Sequence, residues 1–254
     1  MSTSFSDHFK NVSRQYAESR PTYPPELFAW LAAQSPATGH AWDCATGNGQ
    51  AALDLAQHFQ QVTATDASAA QIGQAIRHER IDYRVAPAEA SGLAAGSIDL
   101  VVVAQALHWF AVERFHAEAT RVLKPGGVIA EWSYGVLTVE GAEVDALVQH
   151  FYHDVVGPWW PAERRHVENG YRELEFPFQP IAAPTFTMRI NWNLERLLGY
   201  FRSWSATARY RENCADDPVA ALAQRLRPVW GVPELERKVC WPLALRVGRA
   251  AASG

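Results

Sequence analysis

The sequence predicts an α/β fold built on a doubly wound, mostly parallel sheet with helices on both faces. Three observations predict it. A short strand-like segment at residues 41–44 runs into glycines at 47 and 49 and then into a helical stretch. Helix-like and strand-like segments alternate between residues 50 and 123. The run Ile98-Asp99-Leu100-Val101-Val102-Val103-Ala104 is continuously apolar apart from one acid. Alternation of this kind implies parallel strands joined by right-handed crossovers, and an unbroken apolar run fits a strand covered on both faces.

Taken in order, Phe5, Phe9, Val12 and Tyr16 recur at helical spacing, and the prolines at 21, 24 and 25 end that helix. Residues 1–35 are therefore expected to form an N-terminal helical lid. A cofactor-binding core follows over 36–135 and a cap with closing strands over 136–254, all within one domain. In the core, Val62-Thr63-Ala64-Thr65-Asp66 reads as a second strand and residues 82–86 as a third. The fourth is Ile98–Ala104, and the helix after it shows an inner stripe of Val112, Phe115, Ala119 and Val122. Beyond it, Val144, Leu147, Val148, Phe151 and Val155 mark an amphipathic helix that Gly157-Pro158-Trp159-Trp160-Pro161 stops. Residues 185–192 read as a strand, 194–204 and 219–226 as helices, and 237–247 as one closing strand.

Chemistry concentrates in the first turn. Gly47 and Gly49 permit positive φ and close approach of a ligand, and the helix behind them offers unpaired N–H groups. Gly47-Asn48-Gly49-Gln50-Ala51-Ala52 also satisfies the G-x-G-x-x-G/A pattern of dinucleotide binders. Asp43 argues against that reading: a carboxylate at the strand mouth repels a pyrophosphate but favours a cationic ligand such as S-adenosylmethionine (SAM), which carries an ammonium and a sulfonium. Asp66, about 20 residues beyond the loop, is placed to accept from both ribose hydroxyls. Either acid alone could equally be a strand-end residue capping the next helix.

From Asp43 to Gly49 the chain resembles the D-x-G-x-G-x-G loop of class I SAM-dependent methyltransferases, with Ala45 in place of the first glycine. Arg121-Val122-Leu123-Lys124-Pro125-Gly126-Gly127 is similar to that family's R-x-L-K-P-G-G turn, a structural signal. A closer resemblance, to the type 11, trans-aconitate methyltransferase-like small-molecule group, is carried by three motifs. These are Tyr16-x-x-x-Arg20-Pro21-x-Tyr23-Pro24, Gln105-Ala106-Leu107-His108-Trp109-Phe110 and Gly199-Tyr200-Phe201-Arg202-Ser203-Trp204-Ser205-Ala206. The resemblance implies a Rossmann-like, seven-stranded sheet and SAM as cofactor. It implies cofactor contacts from Asp43, Ala45, Gly47, Asn48, Gly49, Asp66, Ala67, Ala88, Glu89 and Gln105, with Arg20 on the cofactor carboxylate as the lid closes. Acceptor-side or catalytic roles fall to Tyr16, His108, Trp109 and Arg202.

Composition narrows the partners. The 254 residues are 48% hydrophobic, enough for one large core. A net charge of −4 supplies no broad cationic surface for a phosphate backbone, so no nucleic-acid partner is expected. The three cysteines have no C-x-x-C pairing, and His150, His153 and His166 read as solvated, so neither a disulfide scaffold nor a metal is expected. No apolar run has membrane-spanning length and the first residues lack a leader pattern, so a cytoplasmic enzyme with a small-molecule substrate is expected. Nothing in the residues indicates an oligomeric state.

Methyl transfer from a sulfonium needs alignment and exclusion of water above all. A carboxylate acceptor would need only cationic or hydrogen-bonding groups, with Arg20 and Arg202 foremost; a hydroxyl or amine would need a base, for which His108 is the candidate. Trp159, Trp160, Trp192 and Trp204 would either wall an apolar pocket or pack the cap. A nicotinamide-dependent oxidoreductase and a noncatalytic SAM-binding module remain as alternatives at this point.

Overall fold

The computed structural model describes residues 21–251. The N-terminal helix, Tyr16 and Arg20 lie outside the described residues. Helix α1 (Pro25–Gln34) leads to β1 (His40–Cys44), α2 (Gln50–Leu55), β2 (Gln61–Asp66), α3 (Ala69–Gln74), β3 (Ile81–Val85), β4 (Ile98–Ala104), α4 (Val112–Val122) and β5 (Leu123–Ser133). There follow β6 (Thr138–Val139), α5 (Ala142–His150), α6 (Arg164–Glu168), β7 (Gln179–Ile181), β8 (Thr187–Trp192) and α7 (Leu194–Arg202). Last come α8 (Ser205–Asn213), α9 (Pro218–Trp230), β9 (Arg237–Pro242) and β10 (Ala244–Arg249).

These elements form two compact units. One holds residues 23–135, 163–187 and 242 onward; the other holds 136–162 and 188–241. The first contains a seven-stranded sheet in the order β3-β2-β1-β4-β5-β10-β7. Strands β1 to β5 are parallel, and β10 runs antiparallel to both β5 and β7. Strand order reverses at β1, between β2 and β4, and the carboxyl ends of strands at such a reversal are where open α/β sheets place a ligand crevice. The sheet forms because its central strands carry apolar side chains on both faces: Leu100, Val101, Val102 and Val103 are all fully buried. The stripe on α4 packs as its spacing requires, with Phe115, Ala119 and Val122 fully buried and Val112 at the margin.

The lysine-proline-glycine turn is built into β5. Lys124 Nζ lies 2.8 Å from both oxygens of the fully buried Asp99, which also accepts from the Gly39 and His40 N–H groups. The acid that interrupts the apolar run of β4 is thus neutralised in place.

In the second unit β6, β9 and β8 make a small sheet. One expectation is corrected here. Residues 237–247 are two strands, not one, because Leu243 separates β9 from β10 and each pairs in a different sheet. The expected amphipathic helix at 144–155 is α-helical only to His150; Phe151–Val155 widens into a π turn. Trp192 and Trp204 are buried in an aromatic cluster with Tyr200 and Trp241, which is the packing role. Among the described residues no helix is long and apolar enough to cross a membrane.

Candidate active site

The loop from Asp43 to Gly49 is shaped by three left-handed residues, Ala45 (φ 57°), Gly47 (φ 59°) and Gly49 (φ 89°). Gly49 is required sterically as well, since a Cβ there would collide with the Tyr83 ring. Ala45 occupies a conformation that costs an L-residue about 1–2 kcal/mol, so the departure from glycine at this position is a strained one. The Thr46 N–H donates to the Thr65 carbonyl (2.9 Å) and the Gly49 N–H to the Thr46 carbonyl (3.0 Å), which ties the loop to the end of β2.

Asp43 ends up 1% exposed. Its Oδ2 accepts from the Thr46 hydroxyl at 2.5 Å, while Oδ1 is buried with no hydrogen-bond partner among the described residues. Burial pushes the carboxyl up to about 7, against the lowering effect of the Thr46 hydroxyl and the Ala52 backbone N–H and with a further rise from Asp66. A buried acid with an idle oxygen has the chemistry to take a positive group.

Asp66, at the end of β2, already accepts two backbone donors: Gly47 N–H on Oδ2 (2.9 Å) and Ser68 N–H on Oδ1 (2.8 Å). Each carboxylate oxygen has a second lone pair, so the acid can hold the loop and still accept from hydroxyls. Ala67 beside it is exposed, and Asn48 is half-buried. Ala88 is buried in the core cluster. Glu89 Oε1 accepts from the Ala111 N–H (2.9 Å) at the entrance to α4, so this acid also has a structural bond.

At the end of β4, Gln105 takes φ 58°. Its N–H donates to the Trp132 carbonyl (2.9 Å) and its Nε2 to the Tyr134 carbonyl (2.9 Å), while Oε1 is buried with no partner among the described residues. A short 3₁₀ turn, Leu107–Trp109, then holds His108 half-buried and leaves Trp109 63% exposed. The crevice thus gathers Asp43, Gly47, Gly49, Asp66, Gln105 and His108 on adjoining strand ends of one unit. Arg202 lies on α7 of the other unit, 3.9 Å from Glu195.

Sequence reasoning missed Tyr171. Its ring is fully buried, its backbone is left-handed (φ 62°), and its hydroxyl lies 3.3 Å from His108 Nδ1. Asn169-Gly170 marks a turn in the sequence, but nothing local reveals which strand end that turn approaches. Among the described residues no group of three His, Cys, Asp or Glu could hold a metal ion.

SAM fits these groups on three counts. Its charge suits the idle Asp43 oxygen, its ribose suits Asp66, and the glycine turn leaves room for close approach, the nearest side-chain atom to a Cβ at Gly47 being Gln71 Oε1 at 3.9 Å.

Known proteins agree. A family model described as a methyltransferase domain matches residues 42–130. A Dictyostelium discoideum protein named as a methyltransferase is 31% identical over 240 residues, spanning 93% of this chain and 91% of that one. The Aspergillus candidus methyltransferase cfoB is 28% identical over 255 residues, spanning 87% of this chain and 78% of that one. A solved structure from Anaeromyxobacter dehalogenans, described as a type II methyltransferase, superposes with a TM-score of 0.88 at 47% identity, covering 92% of this chain and 99% of that one. With a Rossmann-like sheet, a glycine turn and this degree of likeness, the chain belongs to the class I SAM-dependent methyltransferases, and its cofactor is S-adenosylmethionine.

Proposed function

We propose that this methyltransferase esterifies a carboxylate of a small organic molecule, in keeping with the trans-aconitate-like group its motifs resemble. The observation that carries the reading is the setting of His108, half-buried with its Nδ1 3.3 Å from the buried Tyr171 hydroxyl. Burial first, and then the charges of Arg164 and His166, lower its pKa to about 4, with Glu163 opposing. Such an imidazole is neutral near pH 7 and a poor base for a hydroxyl or ammonium. A carboxylate is already ionised and needs no base, and the positive surroundings that disfavour a proton on His108 favour an anion nearby.

The bound cofactor supplies an electrophilic methyl group on a sulfonium. The chain's own residues supply the rest. Asp43 Oδ1 would accept from the cofactor's ammonium and Asp66 from its ribose hydroxyls, with Ala45, Gly47, Asn48 and Gly49 shaping the approach. Ala67, Ala88 and Glu89 would bound the adenosine side and Gln105 Oε1 would accept from a further donor. His108 and Trp109 would meet the acceptor, the exposed indole offering an apolar wall and excluding water. Arg20 and Arg202 remain candidate anchors for carboxylates, as arginine's fork suits them, and the Tyr16 phenol is a candidate single donor.

The test is a panel of small carboxylic acids, phenols and amines with methyl-labelled SAM, followed by mild alkali. A methyl ester releases its label as methanol, whereas methyl ethers and amines retain it. Label that survives alkali on every accepted substrate contradicts the proposal.

A further inference from the structure

The segment that carries Tyr171 is fastened to the sheet by a buried ionic relay. Glu131 on β5 is fully buried; its Oε1 lies 2.7 Å from His116 Nε2 and its Oε2 accepts from Arg246 Nε at 2.6 Å. Arg246, paired in register with Glu131 across β5 and β10, sends Nη1 to the carbonyls of Tyr171 and Leu174, both at 2.8 Å. Its guanidinium also lies 4.8 Å from the Phe176 ring centre and 5.9 Å from that of Tyr171. The Tyr171 N–H donates to the His166 carbonyl at 2.8 Å. Gly170 and Tyr171 both take positive φ, 65° and 62°. A tyrosine held left-handed is strained, and such strain persists only where its surroundings enforce it.

The enforced position sets the ring nearly parallel to His108, with 26° between planes, and brings the hydroxyl to Nδ1. The direction of this bond depends on the His108 tautomer, and hydrogen accounting favours the hydroxyl as donor. The Tyr171 hydroxyl is buried, and burial together with the Glu131 charge raises its pKa, so it keeps its proton. The hydroxyl proton has one acceptor among the described residues, His108 Nδ1. Were Nδ1 protonated instead, it would donate to the hydroxyl oxygen, and the buried hydroxyl proton would go unsatisfied.

We infer that Tyr171 is a positioning residue that locks neutral His108 in the tautomer with its proton on Nε2, making His108 a hydrogen-bond donor to the acceptor substrate and not its base. The Glu131–Arg246 pair acts one step further back, by holding the Tyr171 backbone. The kinetic part of this inference rests on the carboxylate reading above, because only an anionic acceptor gains from a donor and dispenses with a base.

The test has two arms. In the first, nitrogen-15 NMR of the intact protein reads the His108 tautomer, the signals being identified by their loss in His108→Gln. Wild type is expected to show protonated Nε2 and unprotonated Nδ1, and Tyr171→Phe a mixture of the two tautomers. A wild-type ring protonated on Nδ1 overturns the inference, and this holds even if Tyr171→Phe fails to fold.

In the second arm, His108→Gln retains a donor near the Nε2 position but has no basic nitrogen. It is expected to keep kcat within about tenfold while raising acceptor KM, whereas loss of a general base costs about 10²–10⁴-fold. A kcat loss beyond about a hundredfold overturns the inference. The tautomer measurement needs no acceptor, so an ether product combined with protonated Nε2 would sink the carboxylate reading and leave the Tyr171 lock standing.

Discussion

Replacing Asp43 with asparagine separates the two consequences of burying that acid. In the ligand-free protein its carboxyl is raised from 3.8 to about 7, which at about 1.4 kcal/mol per pH unit makes the ionised form cost about 4 kcal/mol. The sign follows from proton counting. Between the unfolded value and about 7 the folded state binds the proton more tightly, so this group's contribution to stability is present below pH 4 and is lost as pH rises toward 7. Asparagine keeps an oxygen for the Thr46 hydroxyl and never ionises. Asp43→Asn should therefore gain stability relative to wild type as pH rises from about 4 to 8, approaching 4 kcal/mol in denaturant titrations at the alkaline end.

Cofactor affinity should move the other way. SAM selects the ionised acid, so wild-type binding should weaken by up to about tenfold per pH unit below 7 and release a proton there. Asp43→Asn should bind about 10- to 100-fold more weakly at pH 8, the worth of a hydrogen bond to a charged group, with that pH dependence gone. Calorimetry reads both quantities. An unchanged dissociation constant at pH 8, or a wild-type stability difference from the variant that does not grow with pH, refutes the reasoning.

Other substitutions probe the scaffold. Ala45→Gly removes an αL penalty of about 1–2 kcal/mol and adds unfolded-state entropy worth about 0.4–1 kcal/mol, so a net gain of about 0.5–1 kcal/mol should appear in thermal unfolding. Arg246→Ala leaves the fully buried Glu131 without its guanidinium and should cost about 3–5 kcal/mol in denaturant titrations. Phe115→Ala empties the space between α4 and the sheet and should cost about 3–5 kcal/mol by the same assay, with m unchanged.

The strand ends and glycine turn that carry Asp43 and Asp66 were legible because they are local. Asp43, the glycines and Asp66 follow one another along a strand–turn–helix–strand run, and each acid falls where a parallel strand ends, a position read from hydropathy alone. The apolar run at 98–104 marked β4 to the residue, since a strand buried on both faces has no polar alternation to blur its ends. What was hidden depends on long-range placement. Tyr171 reaches His108 across 63 positions, and Arg246 reaches Glu131 across 115, through a segment with neither period. The split at Leu243 was hidden for a related reason: β9 and β10 are both apolar enough to be strands, and only the sheets they join tell them apart. Strain at Ala45 was visible as a departure from glycine, but its left-handed backbone was not.

The central claim is that the crevice at the ends of β1, β2 and β4 is built for SAM. Calorimetric titration of wild type and Asp66→Ala with S-adenosylhomocysteine and with NAD measures it most directly. Saturable binding of S-adenosylhomocysteine to wild type, at least about tenfold weaker in Asp66→Ala for loss of a charged hydrogen-bond acceptor, with no heat from NAD, is the predicted result. Binding of NAD with none of S-adenosylhomocysteine, or equal affinity in the variant, would contradict it.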